Sequence, residues 1–188
     1  MDSRMYRMGG WPIPDYVVHL ANIESASIAN FALKCNARLL YCSSGIVYHP
    51  ENDTEYRRNK IKWEQEALQS GADVVIARLF TFNGEGLDDN KAVVQFEKAA
   101  REGKPLRIWG DGSCIRSYMH GSELGKWMWA VLFNGKSGEA YDVGDDRPVT
   151  LLELAKLYSD NIIIEGGVDA MPVYLPPNTK KTKALLKE

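Results

Sequence analysis

The sequence predicts an α/β fold: a parallel sheet with flanking helices, followed by a smaller C-terminal lobe. Apolar runs at 16–20, 38–42 and 74–79 are typical of strands, and we expect the first to be buried on both faces. Between these runs, residues 24–35 and 56–70 place apolar side chains at helical spacing. Strands that alternate with helices in this order form a parallel sheet with right-handed crossovers.

The second half of the chain has a less regular pattern, and residues 1–14 should form an irregular lead-in because they are rich in glycine and proline. Thr150, with Glu153 three residues later, predicts a capping box at the start of a short helix. The other predicted elements are helices at 91–102, 122–133 and 179–187, and strands at 106–109, 141–143 and 162–164.

Length and composition indicate an ordinary globular protein. The chain has 188 residues, of which 45% are hydrophobic and 26% charged, and its formal net charge is -2. This balance gives no reason to expect a nucleic-acid or membrane surface. Three scattered cysteines and three histidines suggest neither a disulfide framework nor a metal site, which favours a reducing compartment. Because no apolar run has the length of a signal peptide or a membrane span, the expected location is the cytoplasm.

Tyr56 and Lys60 form the first candidate for chemistry. Residues four apart lie on one face of a helix, so the two side chains should meet. A lysine ammonium beside a phenol favours the phenolate and lowers the pKa of a tyrosine, which can then exchange a proton near neutral pH. The spacing alone is common by chance, so the interpretation depends on its context.

That context is a serine at the end of the preceding strand. Ser44 follows the apolar run at 38–42, and ligands of open α/β sheets bind at the carboxyl ends of the strands. A hydroxyl at this place can form a hydrogen bond to the same substrate oxygen with which the tyrosine exchanges a proton. Ser44, Tyr56 and Lys60 are therefore the candidate catalytic residues.

These and other segments, taken in chain order, resemble the extended short-chain dehydrogenases/reductases of the NAD-dependent epimerase/dehydratase family, which modify nucleotide sugars. The resemblance covers nearly the whole chain, and no single motif carries it. The matching segments are Val18 to Ala21, Ser43 to Tyr48, Tyr56 with Lys60, Ala77 to Gly84, Leu106 to Met119, Tyr141 to Gly144 and Pro177 to Leu186.

The resemblance implies a role for each matched residue. Tyr56 would be the acid/base, Lys60 the partner that lowers its pKa, and Ser44 the hydroxyl donor. The cofactor would be NAD or NADP, and no metal is implied. Arg116 would contact the diphosphate of a nucleotide sugar, because a guanidinium meets phosphate oxygens in pairs. Asn83 would line the sugar pocket. The implied cofactor contacts are Ala21, Ser43, Tyr56, Lys60 and Phe80.

One departure from the family concerns the dinucleotide site. The G-x-x-G-x-x-G loop, whose glycines let the backbone approach the pyrophosphate, is not found in the sequence. We therefore expect a truncated Rossmann-like sheet that starts at the family's fourth strand. Residues 1–83 would be a partial NAD(P)-binding region, and residues 84–188 a substrate-binding region with segments returning to the sheet. Without this loop, the cofactor has only part of its usual binding site.

A second departure concerns the type of reaction. In the family's 4,6-dehydratases an Asp-Glu pair follows the catalytic serine or threonine, whereas Gly45 and Ile46 stand here. Dehydration needs that acid and base to remove water across the sugar ring. The resemblance thus favours an epimerase or a reductase, although the Arg116-Ser117-Tyr118 segment is similar to dehydratase-like members too.

Three hypotheses stay open at this point. The chain is part of an enzyme that needs its missing half from elsewhere, a non-catalytic nucleotide-sugar-binding remnant, or a folded fragment without a selected function. In the second case the remnant sheet would expose an edge strand that must be covered, and a homo-oligomer or another partner is the expected cover. The lead-in from Met1 to Pro14, with Met5, Tyr6, Met8 and Trp11, is a further candidate to pack on that surface.

Overall fold

The structure is a computed structural model that describes residues 7–8, 11–167 and 173–186. Within these residues the strands are β1 (Arg7–Met8), β2 (Trp11–Pro12), β3 (Tyr16–His19), β4 (Arg38–Ser44), β5 (Asp73–Leu79), β6 (Phe82–Asn83), β7 (Leu106–Ile108), β8 (Ile115–Arg116), β9 (Met119–His120), β10 (Ala140–Val143), β11 (Val149–Thr150), β12 (Ile162–Ile164) and β13 (Val173–Tyr174). The helices are α1 (Ala26–Cys35), α2 (Glu55–Gln69), α3 (Ala92–Arg101), α4 (Gly121–Asn134), α5 (Leu151–Lys156) and α6 (Thr179–Leu185), and a 3-10 turn spans Gly45–Tyr48.

A parallel sheet in the order β10-β5-β4-β3 forms the centre of the molecule. Helices α1 and α2 pack on one face of it around Leu39 and Tyr41. Helix α4 packs on the other face around Leu40 and Cys42. Strand β4 is apolar on both faces because each face is covered by a helix layer. The predicted α/β class, with a parallel sheet and flanking helices, is confirmed.

The expectation that the first apolar run is buried on both faces was wrong. Among the described residues β3 pairs only with β4, so it forms an edge of the sheet. Tyr16 keeps 50% of its surface exposed and Val18 keeps 37%. An apolar run predicts burial only if neighbours cover it on every side, and here one side of the strand is open.

The lead-in also differs from its prediction. Strands β1 and β2 pair antiparallel, so part of the segment expected to be irregular is a short hairpin. Strand pairs of two residues are too short to produce a period in the sequence. Of the four lead-in residues expected to pack on the sheet, Met5 and Tyr6 lie outside the described residues. Met8 belongs to β1 and Trp11 to β2, and their packing on the sheet remains a prediction.

A smaller lobe follows β6 and has its own core. Strands β7 and β12 pair in parallel, and α3 and α5 pack on them around Phe96, Ile108 and Leu154. The predicted capping box is present: the Glu153 backbone N–H donates to Thr150 Oγ1 at 3.1 Å, and the Thr150 N–H donates to the Glu153 carboxylate at 2.8 Å. The short pairs β6-β9 and β11-β8-β13 were not predicted from the sequence.

The chain returns to the central sheet after α4. Strand β10 pairs with β5, and α6 then packs beside β10. The boundary placed after residue 83 remains a prediction. No helix in the described part of the chain has the length and apolar character needed to cross a membrane.

Candidate active site

Helix α2 brings the predicted tyrosine and lysine together. Thr54 caps the helix by accepting a hydrogen bond from the Arg57 N–H at 3.2 Å. One turn further in, Lys60 Nζ lies 5.7 Å from the centre of the Tyr56 ring. Tyr56 is 43% exposed and Lys60 only 4%, so the helix offers the phenol to a cleft and keeps the ammonium beneath it.

Lys60 is held in place by groups of the sheet. Its Nζ donates to the Cys42 carbonyl at 3.3 Å and lies 5.7 Å from the centre of the Tyr41 ring. Burial lowers the pKa of the Lys60 ammonium, while the nearby Cys42 thiol and Glu64 carboxylate oppose that shift. Burial also raises the pKa of the Cys42 thiol to about 12, so this cysteine stays protonated and unreactive.

Ser44 ends β4 and begins the 3-10 turn. Its Oγ accepts a hydrogen bond from the Ile46 N–H at 3.3 Å, and the residue is 9% exposed. The next residue must be glycine, because a Cβ on Gly45 would lie 2.4 Å from the Phe80 ring. Phe80 is also close to Gly144, where a Cβ would lie 2.7 Å from the Phe80 Cβ. The two glycines thus let Phe80 pack directly against the end of β4.

A residue that the sequence analysis missed completes the site. Tyr174, on β13, places its hydroxyl 3.2 Å from Ser44 Oγ. Its ring packs on Phe80, with centroids 5.0 Å apart, and on His49, with centroids 5.2 Å apart. Tyr174 lies in a two-residue strand near several prolines, and neither a period nor a motif identifies it.

Two clefts meet at these side chains. The first, of about 620 Å³, is lined by Ser43, Ser44, Tyr56, Lys60, Phe80, Asp88, Lys91 and Tyr174 among others. The second, of about 480 Å³, is lined by Ser44, Ile46, Asn52, Thr54, Tyr56, Thr81, Arg116 and Tyr174. Most of the predicted site residues are therefore brought together, and Ser44 and Tyr56 face both clefts.

Two predicted site residues, Ala21 and Asn83, do not line either of these clefts. Ala21 is exposed, and its neighbours Leu20 and Asn22 line the first cleft, which puts Ala21 at its rim. Asn83 lines a different cavity of about 450 Å³, next to His120. Their cofactor and sugar contacts remain predictions.

A polar network fixes α2 against the sheet. Arg78 on β5 donates to both carboxylate oxygens of Glu64, at 3.0 and 2.6 Å, and to the Tyr48 hydroxyl at 2.6 Å. Tyr48 in turn donates to Asp142 on β10 at 2.9 Å. Burial raises the pKa values of both Tyr48 and Asp142. Because Glu64 lies one helical turn after Lys60, the network sets the position of the part of α2 that carries Lys60.

A serine at the end of one strand, a Tyr-x-x-x-Lys pair on the next helix and a parallel α/β sheet together define the extended short-chain dehydrogenase/reductase class. The chain belongs to the NAD dependent epimerase/dehydratase family, whose model matches residues 13–144.

Known proteins agree with this placement. UDP-glucuronic acid decarboxylase 1 of Arabidopsis thaliana is 27% identical over 169 residues, covering 78% of this chain and 39% of that protein. The protein of the same name from Danio rerio is 25% identical over 193 residues, covering 87% and 46%. The chain spans less than half the length of these relatives. A crystal structure of dTDP-glucose 4,6-dehydratase from Bacillus anthracis with NAD has the same fold, with a TM-score of 0.81 and 20% identity, covering 93% of this chain and 67% of that one.

Proposed function

We propose that this chain forms the substrate-binding and proton-transfer part of an NAD(P)-dependent protein that modifies a nucleotide sugar. The observation that carries the proposal is the position of Ser44 and Tyr56 between two clefts, with Lys60 in one cleft and Arg116 in the other. The hydroxyls of Ser44 and Tyr56 could thus act on a sugar that lies between a cofactor in the Lys60 cleft and a diphosphate in the Arg116 cleft.

The cleft with Arg116 suits the nucleotide sugar. A guanidinium binds the oxygens of a diphosphate strongly because its N–H groups match them in pairs. From Arg116 the same cleft runs to Ser44 and Tyr56, where the sugar ring would lie. Relatives that bear the name UDP-glucuronic acid decarboxylase make a UDP-sugar the first candidate.

The cleft with Lys60 suits the nicotinamide end of a dinucleotide. Ser43 Oγ is buried and has no hydrogen-bond partner among the described residues, so a ligand amide or hydroxyl could satisfy it. Ser43, Lys60 and Phe80 are the residues that would hold this end. When bound, the nicotinamide supplies hydride transfer, which no side chain can perform.

The chain's own residues handle the proton. Tyr56 takes the proton from a sugar hydroxyl as that carbon is oxidised, and gives it back on reduction. Lys60 Nζ lies 5.7 Å from the centre of the Tyr56 ring, close to the group that exchanges the proton. Ser44 donates a hydrogen bond to the same sugar oxygen.

The packing around Gly45 bears on the reaction type. Any side chain at this position would collide with Phe80, so a carboxylate of the kind a dehydratase uses cannot stand there without displacing the ring. We therefore propose an epimerase or a reductase rather than a 4,6-dehydratase.

Calorimetric titration of the purified chain with NAD, NADP and a panel of UDP-, dTDP- and GDP-sugars tests this function. We expect a UDP-sugar to bind, and Arg116→Ala to weaken it about tenfold or more, because a lost charge-assisted hydrogen bond costs about 1.5–3 kcal/mol. Arg101→Ala is the matched control, since its side chain is 78% exposed on α3 and should leave affinity unchanged.

The possible results are distinct. Absence of binding to every nucleotide sugar contradicts the proposal. Binding of a nucleotide sugar without NAD or NADP would instead identify a non-catalytic nucleotide-sugar-binding protein.

A further inference from the structure

Tyr174 is the least expected group in the site. It comes from the far end of the chain, 130 residues from Ser44, yet it lines both clefts together with Ser44 and Tyr56. Its hydroxyl is 3.2 Å from Ser44 Oγ and 3.5 Å from the Leu79 carbonyl. A group in this position must either assist Ser44 or compete with the substrate for it.

The hydrogen-bond capacity of Ser44 defines two possible arrangements, because either hydroxyl can donate to the other. A serine hydroxyl has one proton to donate and two lone pairs to accept with. The Ile46 N–H occupies one lone pair. If the Tyr174 hydroxyl donates to the second lone pair of Ser44 Oγ, it uses the shorter of the two Tyr174 contacts, the one of 3.2 Å. The Ser44 proton is then left for the substrate oxygen. The reverse direction would use up that proton and would leave the phenol proton on the longer contact to Leu79.

The phenol is held firmly enough to act in this way. Phe80 and His49 flank its ring. The strand that carries it pairs in parallel with β8, where Tyr174 is the register partner of Arg116. Burial raises the pKa of Tyr174, which keeps its proton in place at neutral pH.

We propose that Tyr174 is a positioning residue: its hydroxyl donates to Ser44 and thereby directs the Ser44 proton toward the reacting oxygen of the sugar. The proposal rests on the proposed function, because it assumes that a nucleotide sugar occupies the cleft. Tyr174 is the register partner of Arg116 on the neighbouring strand. The orientation of Ser44 would therefore be linked to the segment that would bind the diphosphate.

A double-mutant cycle on ligand affinity tests the role. The dissociation constants of UDP and UDP-glucose are measured for the wild type, Tyr174→Phe, Ser44→Ala and the double variant. Tyr174→Phe removes only the hydroxyl and should weaken UDP-glucose about three- to tenfold, the range for one neutral hydrogen bond, with UDP unchanged. The double variant should bind no more weakly than Ser44→Ala, because Tyr174 acts through Ser44.

Controls separate this role from simple packing. Tyr158→Phe removes a phenol in the smaller lobe and should change neither ligand. A structural defect in Tyr174→Phe would weaken UDP and UDP-glucose together, and additive effects in the cycle would mean that Tyr174 acts independently; either result overturns the proposal. If the wild type binds no nucleotide sugar of the panel, the proposed function fails, and this inference fails with it. If it binds a different nucleotide sugar, that ligand and its nucleoside diphosphate replace UDP-glucose and UDP in the cycle. If the wild type binds UDP-glucose and Tyr174→Phe binds it equally well, only the positioning role fails.

Discussion

At one edge of the central sheet β10 is covered by α6, whereas β3 at the other edge has no further strand on its outer side among the described residues. The covered edge is satisfied in detail: Thr182 Oγ1 donates to the Asp142 carbonyl at 2.7 Å, and Lys181 Nζ donates to the Ala140 carbonyl at 2.7 Å. At the open edge Tyr16 and Val18 remain half exposed.

The difference shows that a helix can satisfy the unpaired edge of a sheet without adding a strand. An unpaired edge presents carbonyl and N–H groups that invite association, so proteins cover or charge it. Here side chains of α6 donate to the carbonyls of β10. The same side of the sheet holds the polar network through Asp142 and Arg78, whereas the β3 side lacks any comparable buried ion pair in the described residues. Stability should therefore depend more on the β10 side than on the β3 side.

The largest loss is expected from breaking the network on the covered side. Glu64→Ala leaves the Arg78 guanidinium without its carboxylate and should lower the free energy of unfolding by about 3 kcal/mol. Urea denaturation measures this loss. Glu97→Ala, which removes an exposed partner of Arg101, should change stability by less than about 0.5 kcal/mol. Similar effects of the two variants would contradict the importance of the network.

A smaller loss is expected from uncovering β10 itself. Thr182→Val keeps the side-chain volume but leaves the Asp142 carbonyl buried without its donor, which should cost about 1–3 kcal/mol. The midpoint and slope of urea unfolding give the value. Thr182→Ser retains the hydroxyl and should recover most of the loss; if it does not, packing and not the hydrogen bond is responsible.

The smallest change in stability is expected at the open edge. Val18→Lys places a charge on β3, and its free energy of unfolding should stay within about 0.5 kcal/mol of the wild type. If the wild type self-associates through this edge, sedimentation velocity should show the variant shifted toward monomer, because lysine discourages edge pairing. A wild type that is monomeric across the same concentrations would argue against association at β3.

Prediction from sequence succeeded where the signal is local. The alternating strands and helices, the Tyr56-Lys60 pair and the Thr150 capping box all depend on spacings of a few residues. The exposure of β3 was misjudged because an apolar run does not state how many neighbours a strand has. The pairs β8-β13 and β6-β9 were missed because two residues carry no period.

The sequence by itself determined the fold class, the family and the face of α2 that carries Tyr56 and Lys60, because periodicity and motif order are properties of the chain alone. Only the tertiary structure decided that Ser44 meets Tyr174 and that Arg116 shares a cleft with both. Those contacts join segments far apart in sequence, and they arise from the pairing of short strands and the packing of Phe80 against glycine. Local preferences contain no record of such long-range contacts.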